Sequence, residues 1–128
     1  MLGLEDFINK CGLEKPLLEL VKLRASQING CAYCVDLHTS DASKSGETQR
    51  RLHAVSVWQE SPFFTERERS ALAWTEAVTL LSETHAPEDL YQNVLKNFNE
   101  KETVDLTLAI ITINGWNRLA VSFRKLPT

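Results

Sequence analysis

The sequence predicts an all-α protein of six to seven helices, and three observations carry that prediction. Apolar residues recur at three- and four-residue intervals along most of the chain, the spacing of a helix face that turns about 100° per residue. Two capping-box signatures, Thr65 with Glu68 and Asn99 with Glu102, mark helix starts. The β-branched run Ala109-Ile110-Ile111-Thr112-Ile113 lies inside a longer helical pattern with no turn signals around it, so it does not read as a strand.

In chain order, Leu4 to Cys11 form a short, weakly amphipathic segment ended by Gly12. Pro16 suits the first turn of a second helix, where a missing N–H costs nothing, and that helix is expected to reach about Gln27. Leu17, Leu20, Val21, Arg24 and Ile28 trace one of its sides, and Glu19 belongs to it. Asn29-Gly30 is a turn signal, which places Cys31 in the first turn of a third helix running through His38 and Ala42 until Gly46 stops it. Leu52, Val55 and Trp58 predict a fourth helix over Glu47 to Gln59.

Thr65 caps a fifth helix that carries Leu72, Ala73, Ala77, Leu80 and Leu81 to about Ser82. Pro87 restarts the chain into a sixth, with Leu90, Val94 and Leu95, ending near Phe98. From Asn99 one long helix takes in Val104, Leu108, Ile111, Gly115, Leu119 and Phe123. Its interior Gly115 costs about 1 kcal/mol relative to alanine, and a close helix crossing or a subunit contact is the expected compensation.

At 128 residues and 43% hydrophobic content, the chain suits a single domain over 1–128, alone or as one protomer of an oligomer. Fourteen basic against seventeen acidic residues, with no Lys/Arg stripe to neutralise a phosphate backbone, argue against nucleic-acid binding. The segment Met1 to Asp6 has no basic region leading into an apolar run, and no run of about eighteen apolar residues occurs. A soluble, cytoplasmic protein without membrane attachment is expected. Three cysteines are too few for a secreted disulfide framework, so the close pair reads as catalytic or metal-binding.

On a helix, positions 31, 34 and 38 fall within a wedge of roughly 60°, which puts the thiols of Cys31 and Cys34 on one face with the His38 imidazole. Tyr33 is expected to point away, toward the packing side. Glu19 lies about ten residues before the Asn29-Gly30 corner and His38 about eight after it. At a rise of about 1.5 Å per residue, the two reach nearly the same height in an antiparallel hairpin.

Magnitudes rank the members of this group. Lowering a thiol pKa from about 8.5 to about 7 raises the thiolate fraction at neutral pH roughly fifteen-fold. The weaker nucleophile gives back about five-fold, for a net gain of about three-fold. A positioned proton donor or acceptor contributes about 10²–10⁴-fold, so Glu19 and His38 matter more than the helix end. Cys34, one turn before His38, is the better-placed attacking sulfur, whereas thioredoxin-type reasoning favours Cys31. The sequence leaves that order open.

The spacing E-x11-C-x2-C-x3-H set by Glu19, Cys31, Cys34 and His38 resembles that of the AhpD-like alkylhydroperoxidases, within the carboxymuconolactone decarboxylase superfamily. The segments Ile28 to Cys34, Phe63 to Arg69 and Ile113 to Leu119 are similar to recurrent sequences of the same proteins. The resemblance implies an AhpD-like helical fold with the redox pair on a helical hairpin, and thiol-dependent peroxidase or disulfide-reductase activity. It implies a hydroperoxide substrate, a thiol or disulfide electron donor, homotrimeric or homohexameric assembly, and no metal or organic cofactor. It further implies that Cys34 forms the sulfenic acid, that Cys31 is its disulfide partner and proton donor, and that Glu19 and His38 relay protons. Some members carry a histidine between the cysteines, where this chain has Tyr33.

Three other readings stand beside this one. A closed zinc site needs four ligands, of which Cys31, Cys34 and His38 supply three, leaving Glu19 or another subunit to complete it. The decarboxylase branch of the superfamily acts on a lactone acid without redox thiols, and a non-catalytic oligomer could use the same cysteines to sense oxidation. Elsewhere, Asp36 reads as structural or interfacial, His53 and His85 as surface or core, and Cys11 as a buried small hydrophobe. Trp58, Phe63, Phe64, Trp74 and Trp116 read as core or subunit-contact residues. Asn114, Asn117 and Arg118 suggest buried hydrogen bonding at a helix junction first, and a lining for the redox pocket second.

Overall fold

Punctuation residues become helix ends in the computed structural model, which describes all 128 residues. The chain forms α1 (Leu2–Lys10), α2 (Lys15–Asn29), α3 (Ala32–Lys44) and α4 (Gln49–Ala54), then a 3₁₀ segment (Val55–Glu60). It continues as α5 (Glu66–Thr79), the single turn α6 (Leu81–Thr84), α7 (Glu88–Asn97) and α8 (Glu100–Ser122), with no strand. Pro16 sits at the start of α2, and both capping boxes form in full, at Thr65 before α5 and at Asn99 before α8.

The core is built around α2. Leu17, Leu18 and Val21 pack with Ile8 of α1, Val94 of α7 and Leu106 of α8, while Leu20 and Leu23 pack on the other flank with Ala42, Leu52, Val55 and Leu72. Burial of this kind contributes about 25 cal/mol per Å² of apolar surface removed from water, and it falls to Leu17, Leu18, Leu20, Val21 and Leu23 of the central helix. A polar cluster joins α2 to α8 and α5. Asn29 Nδ2 donates to the Oδ1 atoms of Asn114 and Asn117, each at 2.9 Å, Asn117 Nδ2 donates to Ser26 Oγ at 3.0 Å, and Asn114 Nδ2 to Thr79 Oγ1 at 3.0 Å. This is the helix-junction role expected for the asparagines, and every buried side-chain nitrogen or oxygen has a partner.

Helical spacing fails at two places. The helix expected over Glu47 to Gln59 ends at Ala54, and Val57 has the non-helical values φ −126°, ψ 32°. There Trp58 turns into the core and donates Nε1 to Glu76 Oε2 at 2.9 Å, while the Arg69 guanidinium takes up the carbonyls of Trp58, Gln59 and Ser61. The fifth helix stops at Thr79 instead of about Ser82, where Leu80 leaves helical geometry, and α6 adds one turn to the six to seven expected helices. Leu80 and Leu81 end up exposed, not on a buried face. Gly115 meets its expectation through a close approach: a Cβ there would lie 2.7 Å from Met1 Cε, where the start of α1 crosses α8.

Arg67 clamps three element ends together. Its guanidinium reaches Glu14 ahead of α2 at 2.9 Å and Glu102 at the start of α8 at 2.8 Å, and it stacks 4.1 Å from the Phe98 ring centroid. Hydrogen bonds from Arg67 hold the Glu14 and Glu102 carboxyls below their ordinary value of 4.5. Burial pushes Glu68 upward, but hydrogen bonds from Arg51 and the Thr65 N–H outweigh it and hold that carboxyl low as well. Carboxyls lowered on folding stabilise the fold fully above their unfolded pKa and lose that contribution as pH falls through the folded one. Urea midpoints are therefore expected to fall as pH drops below 4.5, and less steeply in Arg67→Met than in wild type. Parallel pH curves for the two proteins would remove the clamp from the acid response.

No helix is long and apolar enough to cross a membrane.

Candidate active site

The turn between α2 and α3 places the cysteines. Gly30, at φ 67°, occupies the left-handed region that glycine tolerates, and the Cys31 N–H bonds back to Ser26 O at 3.0 Å, closing α2. Cys31 is extended, φ −87°, ψ 97°, and caps α3 instead of lying in its first turn as expected. Its Sγ accepts the Cys34 N–H at 3.2 Å, the place that Ser, Thr, Asp or Asn usually fills at a helix start. Cys31 and Cys34 are joined as a disulfide across a Cα–Cα distance of 5.2 Å. They are 1% and 3% exposed.

The hairpin brings Glu19 and His38 together. His38 Nδ1 lies 3.2 Å from Glu19 Oε2, and the two side chains are 12% and 6% exposed, so Glu19 is not a solvated surface residue. A carboxylate that accepts from Nδ1–H leaves Nε2 as the basic nitrogen of the ring. On the other side of the same carboxylate stands Lys22, one turn further along α2, with Nζ 3.8 Å from Glu19 Oε1 and 3.4 Å from Glu5 Oε1. Glu5 Oε2 accepts the Trp116 indole N–H at 3.1 Å, tying α1 and α8 into the network.

A cavity of about 520 Å³ opens above the second cysteine. Cys34 and His38 line it, and Cys31 does not. Tyr33, Leu37, Trp116 and Phe123 form its apolar walls, with Glu5 and Lys125 as the other charged residues. Tyr33 thus faces the cavity, contrary to the expectation that it points to the packing side. Trp116 belongs to the site instead of the core. Trp58, Phe64 and Trp74 are buried and His53 and His85 lie at the surface, as expected, while Asp36 is exposed and Cys11 is half-buried instead of fully buried. The asparagine cluster does not line this cavity.

Sequence reasoning missed Glu5, Lys22 and Lys125. A signal existed for Lys22, a cation three residues after Glu19 and so on the same side of the helix. None existed for Glu5 and Trp116, which meet across 111 residues of chain. One further cluster bears on metal binding: ligand atoms of Glu19, His38 and Asp41 lie within 4.8 Å of one another. Lys22 beside Glu19 opposes a divalent ion there, and the thiols of the zinc reading are bonded to each other in this state.

Comparison with known proteins completes the description of the site. Residues 2–77 match the pattern of the carboxymuconolactone decarboxylase family, and that stretch includes the whole hairpin from Glu19 to His38. The chain belongs to this family. It is 39% identical over 122 residues to YdfG of Bacillus subtilis (strain 168), an uncharacterised protein, covering 95% of this chain and 83% of that one. A crystal structure from Agrobacterium tumefaciens, 44% identical, superposes with a TM-score of 0.97 over 99% of this chain and 87% of that one. That protein is of unknown function, with a suggested role in AhpD-type antioxidant defence. Alkyl hydroperoxide reductase AhpD of Hyphomonas neptunium shares 38% identity over 50 residues, 39% of this chain and 28% of that enzyme. The all-helical, AhpD-like fold expected from the sequence is borne out.

Proposed function

We propose that this family member is a thiol-dependent peroxidase that reduces hydroperoxides through Cys34 and Cys31, and that a thiol or dithiol donor reduces it in turn. One observation carries the reading: a disulfide-forming cysteine lines an apolar cavity beside a histidine held by a buried carboxylate.

In the reduced protein, the Cys34 thiolate attacks the nearer peroxide oxygen. An S–O bond forms, the O–O bond breaks, and the departing alkoxide takes a proton by way of His38 and Glu19, leaving an alcohol and a sulfenic acid. Cys31 then attacks Cys34 Sγ, and hydroxide leaves as water with the Cys31 proton. The cycle consumes one hydroperoxide and two thiol hydrogens, and returns one alcohol, one water and one disulfide. To reset it, a donor thiolate attacks Cys34, the sulfur on the cavity side, Cys31 leaves as a thiolate, and a second donor thiol attacks the donor sulfur of the mixed disulfide to free Cys34. The Cys34 N–H and the positive end of α3 favour charge on Cys31, and a stabilised thiolate leaves faster. Peroxidase activity in a reducing cytoplasm and assembly as a homotrimer or homohexamer complete the proposal. Exposed Val104 and Ile111 on α8 support assembly.

Stoichiometry tests the reading. Reduced protein mixed with one equivalent of an organic hydroperoxide is expected to give one equivalent of alcohol and lose the mass of two hydrogens, mapped to the peptide holding Cys31 and Cys34. Recovery of the hydroperoxide unchanged would refute it.

A further inference from the structure

The cavity is larger than hydrogen peroxide requires. At about 520 Å³ it falls within the roughly 300–1,000 Å³ of small-molecule sites. Seven of its ten lining residues are apolar, which suits an organic chain and leaves few groups to set its orientation. The charged groups decide that orientation. Both Glu5 oxygens are engaged, one by Lys22 at 3.4 Å and one by the Trp116 indole N–H at 3.1 Å, so Glu5 is held by the protein's own groups. The Lys125 side chain makes no ion pair and donates no hydrogen bond, and its ammonium stands 5.2 Å from the Tyr33 ring centroid.

The chain is bent to hold that cation there. After α8 ends at Ser122, the Lys125 N–H bonds back to Ala120 O at 2.9 Å, with Arg124 in the left-handed region at φ 59°. Glycine usually fills this position of a helix-ending turn, and a larger residue adopts it only at a cost in backbone strain. The turn folds the chain back toward α3 and sets Lys125 over Tyr33.

The geometry points to an amphipathic monocarboxylate as the ligand class of this cavity: an apolar chain lies between Tyr33, Leu37, Trp116 and Phe123, its carboxylate pairs with Lys125, and its reactive end faces Cys34. This inference deepens the peroxidase reading by naming the substrate as a hydroperoxy acid, and its test does not depend on turnover.

Octanoate and 1-octanol are the probes, titrated calorimetrically into the disulfide form of the full chain. At about 50 mM salt octanoate is expected to bind roughly three-fold tighter than octanol, and the preference should shrink at about 500 mM salt. In Lys125→Met the two should bind alike, while Lys125→Arg keeps the preference. Equal affinities in wild type, no binding of either probe, or a preference that survives in Lys125→Met would overturn the assignment. Failure of the stoichiometry experiment, with carboxylate preference intact, would count against the peroxidase reading alone.

Discussion

Cys34→Ser is expected to lose hydroperoxide turnover by about 10³-fold or more, the scale on which an enzyme depends on its nucleophile. Serine is close to cysteine in shape, and Cys34 is buried in the first turn of α3, so the fold should persist and circular dichroism should be unchanged. Cys31→Ser separates the two sulfurs. With Cys34 intact, it should consume one equivalent of hydroperoxide and stop at a sulfenic acid, trapped by a dimedone-type reagent. A sulfenic acid trapped at Cys31 in Cys34→Ser would reverse the order of attack. That Cys34 lines the cavity and Cys31 does not is the reason for the order proposed.

Glu19→Gln and His38→Gln should each lower the rate of disulfide formation about 10²-fold, at the lower end of what a positioned proton-transfer group contributes. The two side chains share one hydrogen bond, so the double variant should lose little more than either single one. Glu19→Gln also leaves Lys22 facing one carboxylate, Glu5, instead of two, and some loss of stability follows; cooperative unfolding should persist. Rapid-mixing measurements under one turnover read the chemistry apart from donor binding. Unchanged rates, or penalties that simply add, would remove the pair from the proton path.

The hairpin was legible because its determinants are local. Pro16 opens α2, Gly30 closes it, and the rise per residue alone puts Glu19 level with His38, as the 3.2 Å contact shows. Both capping boxes are four-residue patterns and formed as read. The break at Val57 was not legible, since Trp58 is drawn to Glu76 and Arg69 reaches back to the carbonyls around it. Tyr33 was misplaced for a related reason. The outer face of α3 meets neither core nor open solvent but a cavity wall supplied by Trp116 and Phe123 from the far end of the chain. Periodicity divides a helix into a core side and a water side, and it has no term for a third environment.

The amide cluster of Asn29, Asn114 and Asn117 has a consequence for the cavity wall. Two helices that meet through aliphatic side chains alone can trade one interdigitated packing for another displaced by about one turn, roughly 5.4 Å, at modest cost. Directional bonds remove that freedom, because every alternative alignment strands buried amides without partners. Asn117 and Trp116 are neighbours on α8, so the bonds that index α8 against α2 also fix how far along the cavity the indole ring stands from the hairpin that carries Cys34. The asparagines work as a vernier for the wall opposite the sulfur, although neither Asn114 nor Asn117 touches the cavity itself.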